Sequence, residues 1–325
     1  MQECLFKGFD LFASYYTSLQ LYPFFLQERK GTKMWVLMRY RGSYMTAVIC
    51  VIIFCMLLVY QTPVDEVSEG MCACKDCVRQ QTHSFWFNEL YDLSIQPLLT
   101  RENYVLSEDI FKYWKVLICN YTAVVEKLFS LFPDKTQYSD ASPKRCRSCA
   151  VIGNSGNLKG SHYGHRIDLH DFVIRINMGP TKGYENDVGS KTTHRFLYPE
   201  SAMDVDNSTY LVLSPFKILD MEWLISAFTT KNITRTYKKV RPGVNANRHK
   251  VMILHPVNPA PLQSRFYLHI IVSTFGFGAD QYGNWYHYFE KTSHNIRTGA
   301  HSGSFEFDTM MQLYLENKIQ VYRGR

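Results

Sequence analysis

The sequence predicts an α/β fold: a Rossmann-like, mostly parallel sheet flanked by helices and preceded by one transmembrane helix. Three observations carry this. Short runs rich in β-branched and aromatic residues alternate with helical segments through the C-terminal half, the pattern that builds parallel sheets. The first of those runs opens into a loop of small residues, "GNSGNL" at 153–158. An uncharged stretch, "YMTAVICVIIFCMLLVY" at 44–60, stands far ahead of the first strand.

The stretch at 44–60 would span roughly 25 Å as a helix. That suits the thinner bilayers of the early secretory pathway. Lys33, Arg39 and Arg41 just before it should stay cytoplasmic, which sends the C-terminal bulk into the lumen. A cleaved signal peptide and a buried core helix are the rival readings. The run begins far from the first residue and lacks a small-x-small cleavage site, which favours an anchor. The chain then divides into a cytoplasmic tail at 1–43, an anchor at 44–60, a polar stem at 61–71 and a globular domain at 72–325. Residues 1–33 are aromatic-rich without a clear period, and a start at Met34 would give a conventional short tail. Six of the nine cysteines follow the anchor, where disulfides are permitted. Glycosylation sequons begin at Asn120, Asn207 and Asn232, all on the luminal side.

Hydrophobic residues at 46% and aromatics at 15% support a real core. The net charge of +7 allows an anionic ligand but is too small to argue for nucleic acid.

The elements follow in order. "FWFNELYDLSIQPLL" and "SEDIFKYWKVL" read as helical or mixed. Strands are expected at 149–153 (CAVIG), 171–177 (DFVIRIN), 193–198 (THRFLY), 209–213 (TYLVL), 250–254 (KVMIL) and 266–275 (FYLHIIVSTF), with a final strand in "IQVYRGR". "KILDMEWLISAFTT" is helical. So is "SFEFDTMMQLYLENK", where Phe307, Met310, Met311 and Tyr314 share one face.

The stretch "CRSCAVIGNSGNLKG" at 146–160 poses the functional question. A zinc site could draw on Cys146, Cys149 and the three cysteines of "CACKDC", but disulfides suit an oxidising lumen better. A thioredoxin-type site is disfavoured because the second cysteine starts a strand rather than a helix. The dinucleotide fingerprint G-x-G-x-x-G is absent. A strand, a tight turn of small residues and a following helix would expose backbone N–H groups at the carboxyl edge of a sheet, suited to a nucleotide's sugar and phosphate.

The longer run "CAVIGNSGNLKGSHYGHRIDLHDFVIRINMGPTKGYENDVGSKTTHRFLYPES" resembles the large sialyl motif of animal sialyltransferases, nearest to the α2,3 branch acting on Galβ1,3GalNAc. The resemblance extends over most of the chain from Cys72. It implies a GT-A-like variant of the glycosyltransferase fold and a type II membrane protein of the Golgi. It also implies CMP-sialic acid as donor, galactose-terminated O-glycans or glycolipids as acceptors, no metal in the chemistry and no nucleic-acid partner.

By position, the resemblance implies that Asn154 and Ser155 lie in the nucleotide loop and that Asn177 reaches the cytidine end or ribose. "FGFGADQYGNWYHYFE" resembles the end of the small sialyl motif and the following "HY" motif. There Gly278 lets the backbone approach the donor and His287 meets its phosphate. "TGAHSGSFE" resembles the last family motif through His301 and Glu306, with His301 as general base. Tyr237, in "TRTYKKVRPG", matches a tyrosine placed over the substrate. The family pairing implies Cys72–Cys77 and Cys74–Cys146. "DVD" at 204–206 is similar to a metal motif of other glycosyltransferases, but its polar setting reads as a surface loop.

The chain departs from the pattern between "ILHP" (253–256) and "GFGAD" (276–280). Most of the small sialyl motif is missing, including a donor-binding turn and the cysteine that normally pairs with Cys149. Cys149 is therefore expected to lack its family partner, with Cys119 as the cysteine that could substitute. Ile118 stands where close relatives carry a substrate-binding glutamine. The expectation is an α2,3-sialyltransferase, or a nucleotide-binding relative with reduced or lost turnover.

Overall fold

The computed structural model describes residues 84–90, 97–114, 118–134, 146–256, 270–291 and 303–325. Three helices come first: α1 (Phe85–Leu90), α2 (Glu108–Trp114) and α3 (Ile118–Leu131). The alternating part follows as β1 (Arg147–Ile152), α4 (Gly164–Asp168), β2 (Phe172–Ile176), α5 (Glu185–Val188), β3 (His194–Leu197) and β4 (Tyr210–Leu213). It ends with α6 (Ile218–Phe228), β5 (Val251–Ile253), β6 (Ile270–Phe275), α7 (Gly303–Leu315) and β7 (Gln320–Tyr322). Each strand overlaps a run expected from sequence. Residues 266–269 of the expected sixth strand lie outside the described residues.

The seven strands form one sheet in the order β5-β4-β3-β2-β1-β6-β7, and every neighbouring pair is parallel. Sheets buried on both faces need near-continuous apolar strands, which is why "CAVI" and "YLVL" are apolar without alternation. Cys149 and Val151 pack on one side with Val272, Met310 and Leu313. Ala150 and Ile152 pack on the other with Leu158 and Ile167. A third cluster joins Leu211, Leu213 and Ile253 to α3 and α6 through Leu128, Met221 and Trp223. Trp223 meets the cost of burying its indole by donating Nε1–H to the Arg241 carbonyl at 2.8 Å.

The stripe on α7 differs from expectation. Met310 and Leu313 are buried and Phe307 and Met311 pack against the same cluster, whereas Tyr314 is 44% exposed. The stripe is centred between 310 and 313, so position 314 turns toward solvent.

The two cysteines of "CRSC" are both disulfide-bonded. Cys149 therefore has a partner, contrary to the expectation from the missing motif. Cys146 and Cys149 flank an extended strand segment, where three residues span roughly 10 Å. That exceeds the reach of one bridge, so each bonds a different sulfur. Losing the family cysteine has not left Cys149 reduced.

Among the described residues no helix is long and apolar enough to cross a membrane. The stretch at 44–60 and the cysteines at 72, 74 and 77 lie outside the described residues.

Strands β1 to β5 step outward in one direction, and β6 returns to the far side of β1. The reversal between β1 and β6 is a topological switch point, and the crevice beyond the carboxyl ends of the strands there is where open parallel sheets bind ligands.

Candidate active site at the switch point

Three loops meet at this edge: 153–158 after β1, 177–180 after β2 and 276–279 after β6. The segment 284–290 lies across them. Close approach explains their glycines. A Cβ on Gly153 would stand 2.3 Å from the Gly276 carbonyl oxygen, and one on Gly278, at φ +84, would stand 2.7 Å from the Phe307 ring.

The loop after β1 is not the expected cradle of free backbone N–H groups. The N–H of Gly153 donates to Phe275, that of Ser155 to Gly276 and that of Gly156 to Tyr286, all at 2.7–3.0 Å. Asn157 N–H donates to Ser155 Oγ. The helix that follows is only a short 3-10 turn, Gly156–Leu158. The loop offers side chains to a ligand instead.

Asn154 and Ser155 differ in role. Asn154 donates Nδ2–H to the Ile176 carbonyl at 3.0 Å, and its own carbonyl accepts from Tyr288 N–H at 2.9 Å. Ser155 donates its hydroxyl to the Gly278 carbonyl at 2.6 Å. Ser155 thus joins two loops, and Gly278 receives that bond. Asn177 sits at φ 56, a left-handed conformation that Asn tolerates better than most residues. This turns its side chain out of β2 at the strand's carboxyl end.

Residues not expected from the sequence hold the loop at 177–180. Arg195, 5% exposed, donates Nη1 to the carbonyls of Asn177 and Gly179, each at 3.0 Å. Tyr288 donates its hydroxyl to Pro180 at 2.6 Å. Arg175, 1% exposed, lies beside Arg195 across β2 and β3 and binds the Lys191 carbonyl and Thr192 hydroxyl. Burial lowers both guanidinium groups to about 10, still charged near neutrality. Arg195 is therefore a buried cation beneath a loop at the ligand edge, while Arg175 reaches back toward the amino end of β3, and neither has a carboxylate bonded directly to it among the described residues. A charged residue inside an apolar strand run, as in "VIRIN" and "HRFLY", was the available signal.

His287 is half-exposed at the same edge. Its Nδ1 lies 2.8 Å from Glu290 Oε1, its backbone N–H donates to Oε2, and its ring stacks on Phe289. Burial alone would raise the Glu290 pKa, but the His287 hydrogen bonds outweigh it and hold the carboxyl below its ordinary range. Glu290 fixes the ring and leaves Nε2 for a ligand. A carboxylate three residues after the histidine was visible in "HYFE" but received no role.

Tyr237 lies on the other side of the turn Pro199–Ser201 and is 64% exposed. Lys217 Nζ stands 3.3 Å from its ring centroid, and its backbone N–H donates to Glu200 Oε1 at 3.0 Å. His301 lies outside the described residues, and Glu306 falls within α7. Ile118 opens α3. The "DVD" carboxylates are engaged elsewhere: Asp204 pairs with Arg241 at 2.8 Å, and Asp206 caps the turn of Ser208 and Thr209. Among the described residues no cluster of three or more metal-ligating side chains occurs. A hollow of about 570 Å³ lined by Tyr210, Asn247 and Lys250 lies at the amino ends of β4 and β5, the opposite edge of the sheet. Asn120, Asn207 and Asn232 are all exposed.

A parallel sheet whose switch point carries amide side chains, a carboxylate-held histidine and a buried arginine defines an α/β protein with its ligand crevice at that edge. The pattern of glycosyltransferase family 29 (sialyltransferase) matches residues 98–269 and 270–318. The chain is 40% identical over 284 residues to mouse CMP-N-acetylneuraminate-beta-galactosamide-alpha-2,3-sialyltransferase 1, covering 78% of this chain and 84% of that protein. It is 39% identical over 280 residues to the mouse enzyme numbered 2 of the same name, covering 78% and 80%. A solved mammalian sialyltransferase superposes with TM-score 0.67 at 40% identity, covering 78% of this chain and 99% of that one. A second solved mammalian sialyltransferase, in complex with Gal-beta-1-3GalNAc-ortho-nitrophenol, superposes with TM-score 0.66 at 39% identity. The chain belongs to glycosyltransferase family 29, the sialyltransferases.

Proposed function

We propose that this protein transfers sialic acid from CMP-sialic acid to the 3-hydroxyl of the terminal galactose in Galβ1,3GalNAc glycans. The observation that carries the reading is the set Asn154, Asn177, Gly278 and His287 gathered at one sheet edge in a chain of this family. Asn154 and Asn177 hydrogen-bond the nucleoside, whose neutral edges need both donors and acceptors. Ser155 supports that loop through Gly278. His287, held by Glu290, donates from Nε2 to the phosphate as negative charge grows on departing CMP. Tyr237 lies over the sugars.

The reaction is one inverting displacement. The galactose oxygen bonds to the anomeric carbon of sialic acid, the bond to the CMP phosphate oxygen breaks, and CMP leaves as an anion. The hydroxyl proton passes to His301 as general base. The phosphate leaving group makes metal assistance unnecessary, so the reading assigns no cofactor. The anchor at 44–60, the stem and the exposed sequons support a single-pass type II protein of the Golgi, with residues 72–325 in the lumen and Cys72–Cys77 and Cys74–Cys146 bridged.

A second reading is favoured by one observation. The family match falls in two blocks that meet at residues 269 and 270, where the small sialyl motif is short. On that reading the protein binds the nucleotide without turning over. Expressing the full-length chain in secretory cells and assaying transfer to a Galβ1,3GalNAc glycoside separates the two. Turnover that falls by about 10²–10⁴-fold in His301→Ala, with CMP affinity unchanged, supports the enzyme. Thermal stabilisation by CMP without any turnover supports the second reading, and no response to CMP removes both.

A further inference from the structure

The turn of residues 198–201, "YPES", touches both halves of the site. It is stiff: Pro199 fixes one torsion, Ser201 N–H donates to the Tyr198 carbonyl at 3.0 Å, and Tyr198 N–H donates back to Ser201 Oγ at 3.2 Å. Pro199 and Ser201 are buried. From this platform the two polar side chains reach in different directions.

Ser201 Oγ lies 2.9 Å from Asn177 Oδ1 and 3.1 Å from the Tyr198 carbonyl, and the shorter contact takes the hydroxyl proton to Asn177. An asparagine amide presents opposite chemistry at its two ends. With Oδ1 held by Ser201, Asn177 has Nδ2 left to present, and among the described residues nothing accepts from it. Asn154 is held the other way round, with Nδ2 on the Ile176 carbonyl and Oδ1 left over. The edge therefore carries one fixed donor and one fixed acceptor, not two rotating amides.

Glu200 reaches the opposite way. Its Oε1 accepts from the Tyr237 backbone N–H at 3.0 Å and from the Thr236 hydroxyl. Lys217, above the Tyr237 ring, is itself paired at 2.6 Å with Asp220, which is fully buried. Tyr237 is exposed, yet its backbone and its ring are each held by a charged group anchored in the fold.

We infer that Ser201 and Glu200 are positioning residues acting on separate substrates. Ser201 decides which end of the Asn177 amide faces the nucleotide, and Glu200 holds the loop that presents Tyr237 to the acceptor sugar. The inference rests on the reading above that Asn177 meets the donor and Tyr237 the sugars, and it takes the sugar beneath Tyr237 to be the acceptor's. It predicts a split that loss of structure alone would not give.

The test measures CMP binding to the full-length chain by calorimetry, and binding of a Galβ1,3GalNAc glycoside in the presence of CMP. Ser201→Ala should weaken CMP about tenfold and leave glycoside affinity within about twofold. Ser201→Thr, which keeps a hydroxyl, should restore most of the CMP affinity. Glu200→Gln should weaken the glycoside several-fold and leave CMP within about twofold. Thermal midpoints of all three variants separate misfolding from mispositioning. Wild-type binding with both variants shifting both ligands alike, or neither, overturns the positioning roles alone. A wild-type chain that fails to bind CMP overturns the donor reading and this inference with it.

Discussion

The proposed donor side and the proposed acceptor side of this site are built differently. The loops after β1 and β6 are tied by backbone as well as by Ser155 and Asn157: N–H groups of Gly153 and Ser155 bond the residues 275 and 276, and glycines permit contacts too close for any Cβ. The loop around Tyr237 is held by side chains, through Glu200 and Lys217, and its tyrosine faces solvent. A backbone lock admits one geometry and tolerates almost no substitution. The Glu200 pin can be replaced singly, whereas Lys217 also neutralises the fully buried Asp220. On the proposed reading, the nucleotide end is fixed with the fold, whereas the sugar end hangs on a few side chains.

The largest effect should come from breaking the backbone lock. Gly153→Ala brings a methyl against the Gly276 carbonyl, which cannot swing away, and should cost about 1–3 kcal/mol in stability while abolishing CMP binding. Melting curves and calorimetry check both. Next, His287→Ala should lower kcat by about 10²-fold with a modest loss of stability, because the ring is half-exposed and its stacking is with the partly buried Phe289. Glu290→Gln should give a smaller loss of the same kind, read from initial rates.

On the acceptor side, Tyr237→Ala should weaken a Galβ1,3GalNAc glycoside roughly tenfold and shift the melting temperature hardly at all, since the side chain is exposed. A large loss of stability would contradict the idea that this side is pinned separately from the core.

The smallest expected effect is a pH dependence of the fold that carries both sides. His194, buried in β3 and stacked on Tyr210, is lowered by burial to about 3. His170 and His255 are lowered in the same direction, also by burial. The unfolded chain takes up these protons as pH falls below about 6.5, whereas folded His194 does so only near pH 3 and His170 and His255 below their ordinary range. Stability is therefore full above that pH and declines as pH falls toward about 3. Thermal midpoints at neutral pH and near pH 5 should differ by several degrees, and His194→Phe should shrink the difference.

The strands were legible because two-sided burial leaves continuous apolar runs, as in "CAVIG" and "TYLVL". The parallel order followed from alternation with helices. The use of N–H groups after β1 was not legible, because their acceptors come from residues 275, 276 and 286, more than a hundred positions away. Arg175 and Arg195 were passed over for a similar reason. What they bond, loop carbonyls from the ends of strands, exists only once the sheet has formed. Cys149 shows the limit of reasoning from a pattern: a missing counterpart in sequence did not mean a reduced sulfur in the fold.

One further contact involves residues 324 and 325. Arg325 donates its backbone N–H to the Asn157 carbonyl at 2.8 Å, and a Cβ on Gly324 would stand 1.8 Å from that same oxygen. The final residues are wedged beneath the glycine-rich turn that follows β1. Any side chain at position 324 would press on that turn, which ties the segment after β7 to the loop carrying Asn154 and Ser155.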